Sequence, residues 1–126
     1  DAFSSCSALE EVILPSTVTE IRDNAFCYFN RLKKIVLPQK LTSLGISAFR
    51  SCGSLQEVVI PECVISLGEG AFKNCFSLKK VDIFGKISTI EKETFLGCTN
   101  LQTVILPEGI KDYSDYYIAK HGRQRS

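Results

Sequence analysis

The chain has no methionine, no tryptophan and a single histidine, His121. Because a translated chain begins with methionine, we expect the sequence to be a mature protein or a fragment of a longer one. With its one histidine near the carboxyl end, the chain offers no well-placed base for a Ser–His or Cys–His pair. Four converging ligands, which a structural zinc ion requires, are not evident in the sequence either. We therefore expect no enzyme activity, no cofactor and no metal site.

A strong net charge and a long apolar run are also absent. The 15 basic and 14 acidic side chains give a net charge of +1, so no overall field attracts nucleic acid or an anionic membrane. No apolar run approaches the ~20 residues that span a bilayer. No G-x-x-x-x-G-K loop follows a strand, so a nucleotide phosphate has no evident cradle. These absences leave protein binding or a structural role as the main classes of function.

What the sequence does contain is one phrase, repeated. Phenylalanine recurs every 23 residues, at Phe3, Phe26, Phe49, Phe72 and Phe95. Other apolar residues keep the same interval and give the consensus A-F-x-x-C-x-x-L-x-x-V-x-L-P-x-x-V-x-x-I-x-x-x. Repeat units 1 to 5 span 2–24, 25–47, 48–70, 71–93 and 94–116. One unit cannot bury its own apolar side chains, but stacked units form continuous apolar columns, so the repeat predicts a solenoid.

The segment L-x-x-V-x-L predicts one strand in each unit. In LQEVVIP, Val58 and Ile60 alternate with Glu57 and Val59, which is the period of a strand with one buried face. Proline lacks an N–H donor and follows this segment in units 1, 2, 3 and 5, where it should end the ladder. We therefore expect successive strands to pair in parallel along the stack.

The rest of each unit is predicted to be a return limb. Phe49, Cys52 and Leu55 are three residues apart, which suits a short helical or 3₁₀ turn. Val64 and Leu67 have the same spacing and indicate a second short extended piece.

These residues carry a family resemblance. L-x-x-V-x-L in a repeat of 20–29 residues is typical of leucine-rich repeats, and the phrase AFSSCSALEEVILPSTVTEI resembles the BspA-like, or treponemal, class. The resemblance extends from residue 2 to about residue 113. Phe29 replaces the column cysteine in unit 2, Phe84 the proline in unit 4, and Tyr113 the isoleucine in unit 5. The resemblance implies a curved leucine-rich-repeat solenoid with one parallel β-strand per unit and a short helical, 3₁₀ or extended return limb.

The resemblance also implies a function and a location. Members of the class are surface or secreted adhesins of host-associated bacteria and some mucosal protists, linked to binding host matrix proteins or other cells. We therefore expect a non-catalytic protein-binding module at the cell surface or outside the cell, although the printed sequence shows no signal peptide. The alternative is a structural spacer or an oligomerisation array that displays other domains of a larger protein.

Two outward columns of the predicted sheet hold the candidate binding residues. One alternates in charge and comprises Glu11, Lys34, Glu57, Lys80 and Thr103. Opposite charges on neighbouring strands stabilise a sheet by about 0.2–1 kcal/mol a pair, so this column also has a structural interpretation. The other column is mainly apolar and comprises Ile13, Val36, Val59, Asp82 and Ile105. An apolar stripe on a solvent-facing sheet predicts contact with a protein ligand, although β-propensity alone also favours such residues. Asp82 and Phe84 break the repeat together in unit 4, where specificity is expected.

The cysteines have two interpretations. Four share one column, Cys6, Cys52, Cys75 and Cys98, whereas Cys27 and Cys63 lie outside it. An even number of cysteines in a short secreted chain is typical of a disulfide framework. A residue that recurs in phase serves the stack instead, and the parallel Cβ vectors of stacked neighbours suit a disulfide poorly. We favour free thiols in the core.

The two ends of the chain differ from the repeats. Residues 117–126 are predicted to be a C-terminal cap or a disordered tail. The basic and polar composition of residues 120–126 favours a frayed end. The residues expected to cap the last unit are Tyr113, Tyr116, Tyr117 and Ile118. No polar cap precedes unit 1, so Leu9, Val12 and Leu14 are expected at an open end where copies of the chain can self-associate end to end.

Overall fold

A computed structural model describes residues 8–110 and 115–125; Phe3, Cys6 and Tyr113 of the predicted columns lie outside these ranges. Within them the chain coils into a solenoid whose short strands stack in parallel. Partners in the stack lie about 23 residues apart, as Glu57 and Lys80 do, so the predicted leucine-rich-repeat solenoid is confirmed. The elements in chain order are β1 (Glu11–Ile13), β2 (Glu20–Ile21), β3 (Lys34–Val36), β4 (Ser43–Leu44), β5 (Glu57–Ile60), β6 (Ser66–Leu67), β7 (Lys80–Ile83), β8 (Thr103–Leu106), α1 (Tyr116–His121) and β9 (Gly122–Gln124).

The front of the solenoid is formed by β1, β3, β5, β7 and β8, which fall within the predicted L-x-x-V-x-L segments. In β5, Val58 and Ile60 are buried while Glu57 and Val59 are exposed, as the alternation predicts. Phe84 stands where other units have proline, and its N–H donates to the Ile60 carbonyl at 2.9 Å. Proline cannot donate this bond, so unit 4 is tied to unit 3 by one main-chain bond more.

The front sheet is interrupted between β3 and β5. β1 pairs with β3, whereas β5, β7, β8 and β9 form a separate four-stranded sheet. At other steps a main-chain bond precedes the strands: the Lys33 N–H donates to the Glu10 carbonyl, and the Lys79 N–H to the Gln56 carbonyl, each at 2.8 Å. Within the described ranges the Gln56 N–H has no such bond to unit 2. Units 2 and 3 are therefore not joined by a ladder at the front.

A second sheet, β2–β4–β6, joins units 1 to 3 along another edge. The extended piece predicted around Leu67 is β6. Two glycines permit the close stacking, because a Cβ at Gly68 would collide with the backbone of Gly45, and a Cβ at Gly45 with that of Asp23. Glu91 takes this place in unit 4, and across residues 8–110 no strand pairs with β6 on that side. We attribute the end of the second sheet to this change from glycine to glutamate.

The return limb is a series of tight turns that also bond to the next unit. The N–H groups of Cys52 and Leu55 donate to carbonyls three residues earlier, at 3.2 Å each, which is the 3₁₀ pattern. The Phe49 N–H instead donates across to the Ala71 carbonyl at 2.8 Å. The limb thus contributes a further set of main-chain bonds between units.

Two positions recur with a left-handed backbone along the return limbs between residues 24 and 97. Asn24, Ser47, Gly70 and Glu93 form one column, with φ between 54° and 64°. The second column, with φ between 61° and 83°, comprises Tyr28, Ser51, Asn74 and Gly97. Side chains other than those of glycine and asparagine are strained in this conformation. The recurring Asn, Ser and Gly at these positions are the sequence signal for the two turns.

Phenylalanine rings form the spine of the core, as predicted. Phe26, Phe49, Phe72 and Phe95 are buried and stack with centroids 5.2, 5.4 and 5.9 Å apart. Phe29, which replaces the column cysteine, is buried and meets Phe26 edge-on at 5.2 Å.

The cysteine column joins one unit to the next through thiols. Its described members are Cys52, Cys75 and Cys98, and all three are buried and free. Each Sγ–H donates at 3.1 Å to the carbonyl of the column phenylalanine in the preceding unit. Cys27 and Cys63 are free as well. Of the described cysteines only the three column members lie in the core, whereas Cys27 is half-buried and Cys63 is exposed.

The tail folds back on the last unit. Asp115 begins α1 by accepting hydrogen bonds from the N–H groups of Tyr117 and Ile118, and Ile118 is buried. β9 then pairs in parallel with β8 and extends the front sheet. The Gln124 side chain donates to the Ile110 carbonyl at 2.7 Å. The segment for which a cap and a frayed end were both predicted therefore has helix and strand structure up to Gln124.

Candidate protein-binding surface

The front of units 1 to 3 carries an exposed apolar stripe. Ile13, Val36 and Val59 occupy the same place on β1, β3 and β5, and their exposed fractions are 69%, 43% and 53%. Adjacent strand residues such as Ile35 and Val58 are buried, so the outward residues are not part of the core. Ile13 and Val36 lie in register on paired strands, and Val59 continues their column, which differs from the singly scattered apolar residues of an ordinary surface.

The charged column runs beside this stripe. Glu11 lies in register with Lys34, and Glu57 with Lys80. None of these four forms an ion pair within the described part of the chain. Thr103, in unit 5, is half-buried. The four charged side chains are therefore solvated, and they give the surface around the stripe both signs of charge.

An open cleft lies where the front sheet is interrupted. Its volume is about 570 Å³, and its lining consists of residues 33–37, Gln39, residues 56–59 and Pro61. Val36 and Val59 line its two sides. The facing backbones of β3 and β5 lie side by side without a ladder. The cleft therefore offers a ligand mainly the apolar side chains of Val36 and Val59, with Lys34 and Glu57 beside them.

The front of units 4 and 5 is covered in part by the tail of the same chain. Ile105 is half-buried and lies in register with Arg123 of β9. The Arg125 guanidinium forms an ion pair with the Asp82 carboxylate and lies over the Phe84 ring, with its Cζ 3.8 Å from the ring centroid. The two residues that break the repeat therefore face an intramolecular partner. Units 1 to 3 of the predicted binding columns form an exposed surface, and in unit 4 Lys80 and part of the Phe84 ring also remain exposed.

Sequence reasoning identified Asp82 and Phe84 but missed their partner. Arg125 follows residues without repeat phase, and it lies 43 positions from Asp82. No spacing rule links positions so far apart. The interruption beside Val36 was also missed, because the strand motif is the same in units 2 and 3.

Groups suited to catalysis or metal binding are not clustered. In the described ranges no three His, Cys, Asp or Glu side chains are placed to hold a metal ion, and no helix has the length and apolarity needed to cross a bilayer. Burial raises the pKa of the Cys52 thiol to about 12 and raises that of Cys27. Hydrogen bonding with Cys98, together with burial, holds the pKa of Cys75 well above its usual range. A thiol that stays protonated is a poor nucleophile at neutral pH.

The repeat matches a known family model. Residues 1–122 match the BspA type leucine rich repeat region in six copies. The chain belongs to this family. The matched range extends past the five predicted units into the segment that forms α1.

Solved structures of other leucine-rich repeat proteins have the same fold. A T. pallidum leucine-rich repeat protein is 39% identical with a TM-score of 0.81, over 85% of this chain and 50% of that one. A Bacteroides ovatus leucine-rich repeat protein is 33% identical with a TM-score of 0.82, over 96% of this chain and 32% of that one. A Eubacterium ventriosum protein is 35% identical with a TM-score of 0.75, over 78% and 26%. The chain thus spans half or less of these proteins. No curated protein matches its sequence.

Family membership supports a general function. Leucine-rich repeats of this kind generally mediate interactions between proteins and are generally non-enzymatic.

Proposed function

We propose that the chain is a non-catalytic protein-binding module that contacts its partner through the front of units 1 to 3. The observation that carries this proposal is the exposure of Val36 and Val59 on the two sides of the cleft between β3 and β5. We further propose that the partner is a host matrix or cell-surface protein and that the module acts as an adhesin at the cell surface, in keeping with its family.

The physical argument rests on what the cleft offers a ligand. Covering the exposed aliphatic side chains removes apolar surface from water, which favours binding of a ligand with an apolar contact face. Lys34 and Glu57 flank the apolar residues with both signs of charge, which suits a mixed protein surface better than a polyanion. The cleft is open along the sheet, so it fits an extended segment or a loop.

The test is a pair of matched substitutions in the full chain. Val59→Glu places a carboxylate in the patch, whereas Ile65→Glu makes the same change at a 66% exposed position outside the cleft lining. Both variants are titrated by surface plasmon resonance against a panel of purified extracellular-matrix proteins to which the wild type binds. We expect Val59→Glu to weaken binding at least tenfold and Ile65→Glu to leave it unchanged. Equal affinities for both variants would exclude this surface.

The alternative role as a self-associating or spacer array has one supporting observation. Leu9 of unit 1 is 41% exposed, whereas Leu32, Leu55 and Leu78 of the same column are fully buried. Light scattering across a concentration series tests this role. If copies associate through unit 1, the mass in solution should increase with protein concentration, and Leu9→Glu should abolish that increase. An adhesin that does not use this end stays monomeric in both forms.

A further inference from the structure

The two residues that break the repeat in unit 4 converge on one guanidinium group. Asp82 stands in the otherwise aliphatic outward column, and Phe84 stands in the proline column. The Arg125 side chain contacts both, and its Nη2 also donates to the Ile83 carbonyl at 3.3 Å. A carboxylate, a carbonyl and an aromatic face therefore surround a single planar cation.

The arrangement matches the chemistry of arginine better than that of lysine. Arg125 Nη2 donates to both the Asp82 carboxylate and the Ile83 carbonyl, while the guanidinium carbon Cζ lies 3.8 Å from the Phe84 ring centroid. An ammonium is a point charge that does not stack in this way. The Asp82 side chain is only 19% exposed and that of Arg125 is 33% exposed, so the pair is partly shielded from water. Such shielding strengthens a charge pair relative to one on the open surface.

No other unit has this combination. At the position of Asp82, units 2, 3 and 5 carry Val36, Val59 and Ile105, and proline follows their strands. A uniform repeat would place an apolar residue and a proline in unit 4 too. Stacking of the units does not require their replacement by Asp82 and Phe84. The tail does not need a carboxylate there either, because β9 pairs with β8 and Ile118 is buried without it.

We infer that Asp82, Phe84 and the Ile83 carbonyl form a guanidinium-binding site that Arg125 fills from within the chain, and through which the tail controls access of an arginine-bearing protein partner to the front of unit 4. The inference rests on the proposed protein-binding function and states which partner side chain enters this half of the surface. A tethered Arg125 competes at an effective concentration in the millimolar range, so a partner must displace it.

The experiment uses the full ¹⁵N-labelled chain and a small probe. N-acetyl-arginine amide is titrated into the wild type, Arg125→Ala and the control Arg123→Ala, and the amide shifts of residues 82–84 are followed by NMR. N-acetyl-lysine amide is the control probe. Arg123 is an exposed arginine of β9 on the same tail, which makes it a matched control. Arg125→Ala/Asp82→Asn tests the carboxylate.

We expect saturable shifts at residues 82–84 in Arg125→Ala, several-fold weaker apparent binding in the wild type and in Arg123→Ala, and weaker binding of the lysine probe in every form. Asp82→Asn should abolish saturation. The inference is overturned if Arg125→Ala responds like the wild type, if the two probes bind equally, or if Asp82→Asn has no effect. Should Arg125→Ala fail to fold, Arg125→Lys keeps the charge and replaces it in the same titration.

The outcome is separable from that of the proposed function. The probe reports on unit 4 alone, whereas the Val59→Glu test reports on units 1 to 3. Guanidinium binding that fails while Val59→Glu still abolishes partner binding would remove only the inference. Saturable guanidinium binding at unit 4, together with equal partner affinities of Val59→Glu and Ile65→Glu, would exclude the proposed contact surface and leave the guanidinium site supported.

Discussion

Units 1 to 3 and units 3 to 5 repeat the same phrase, yet different strands hold them together. The β2–β4–β6 sheet joins the first group, and the β5–β7–β8–β9 sheet joins the second. Between units 2 and 3 the front has no ladder, so these two units are joined by the second sheet, the main-chain bonds of the return limb and the packing of the core. The comparison shows that the apolar columns hold the units in the stack, whereas single residues at each edge determine which strands form a hydrogen-bonded ladder.

The same difference separates two kinds of front surface. The front of units 1 to 3 is open and apolar, with Ile13 69% exposed. The front of units 4 and 5 is laddered and is covered in part by Arg125. The two halves thus differ in how much of the outward column the tail of the same chain covers.

The largest effect is expected where both groups of units meet. Phe49 lies between Phe26 and Phe72 in the ring column and is fully buried. Phe49→Ala should lower the free energy of unfolding by about 3–5 kcal/mol, because it leaves a cavity between units. Urea denaturation followed by circular dichroism measures this change. Phe76→Ala, at a 50% exposed ring, is the control and should cost much less; similar losses for the two variants would contradict the ring column as the core.

A smaller loss of stability is expected from a substitution that disturbs only the second sheet, β2–β4–β6. Gly68→Ala introduces a Cβ that collides with the backbone of unit 2, and we expect a loss of about 1–3 kcal/mol from overpacking. Hydrogen exchange should show faster exchange at β4 and β6 than at β7 and β8. In the matched Gly53→Ala variant the new Cβ meets only the Phe76 ring, at 3.9 Å. A wild-type exchange pattern in Gly68→Ala would mean that glycine does not set the stacking distance.

The cysteine column predicts a stability that depends on alkaline pH. Burial raises the pKa of Cys52 from 9.0 to about 12. Between these values the unfolded chain loses the thiol proton and the folded chain keeps it, so the contribution of Cys52 to stability is constant below pH 9 and falls as pH rises above it. The slope from this thiol should be about 1.4 kcal/mol per pH unit. Denaturation from pH 7 to 10.5 should show a shallower decline in Cys52→Ala, while the exposed Cys63→Ala serves as the control and declines like the wild type.

The smallest effect concerns strain in the left-handed turns. Tyr28 has φ 66° in unit 2, where units 4 and 5 have Asn74 and Gly97. Tyr28→Asn should raise the free energy of unfolding by up to about 1 kcal/mol, because asparagine tolerates this backbone. Thermal denaturation measures the gain. Phe76→Asn makes a comparable change at a residue without positive φ and should not stabilise, so a gain in both variants would point to a cause other than backbone strain.

Much of the fold followed from sequence because its determinants are local. The alternation in LQEVVIP placed β5, and the three-residue spacing of Phe49, Cys52 and Leu55 predicted the tight turns. The candidate surface was predicted less well from the sequence. Val36 and Val59 are exposed as expected, whereas Asp82 and Phe84 face Arg125. Their environment depends on a residue that no periodic pattern connects to them.

The sequence by itself determined the solenoid, its period and its apolar columns, because a unit of this length can bury its core only against copies of itself. Tertiary structure alone decided which edges carry ladders and which half of the front is open. Those outcomes depend on how closely two backbones approach, as at Gly45 and Gly68, and on where the tail ends up after folding. Arg125 lies next to Asp82 because β9 pairs with β8, and this pairing exists only in the folded chain.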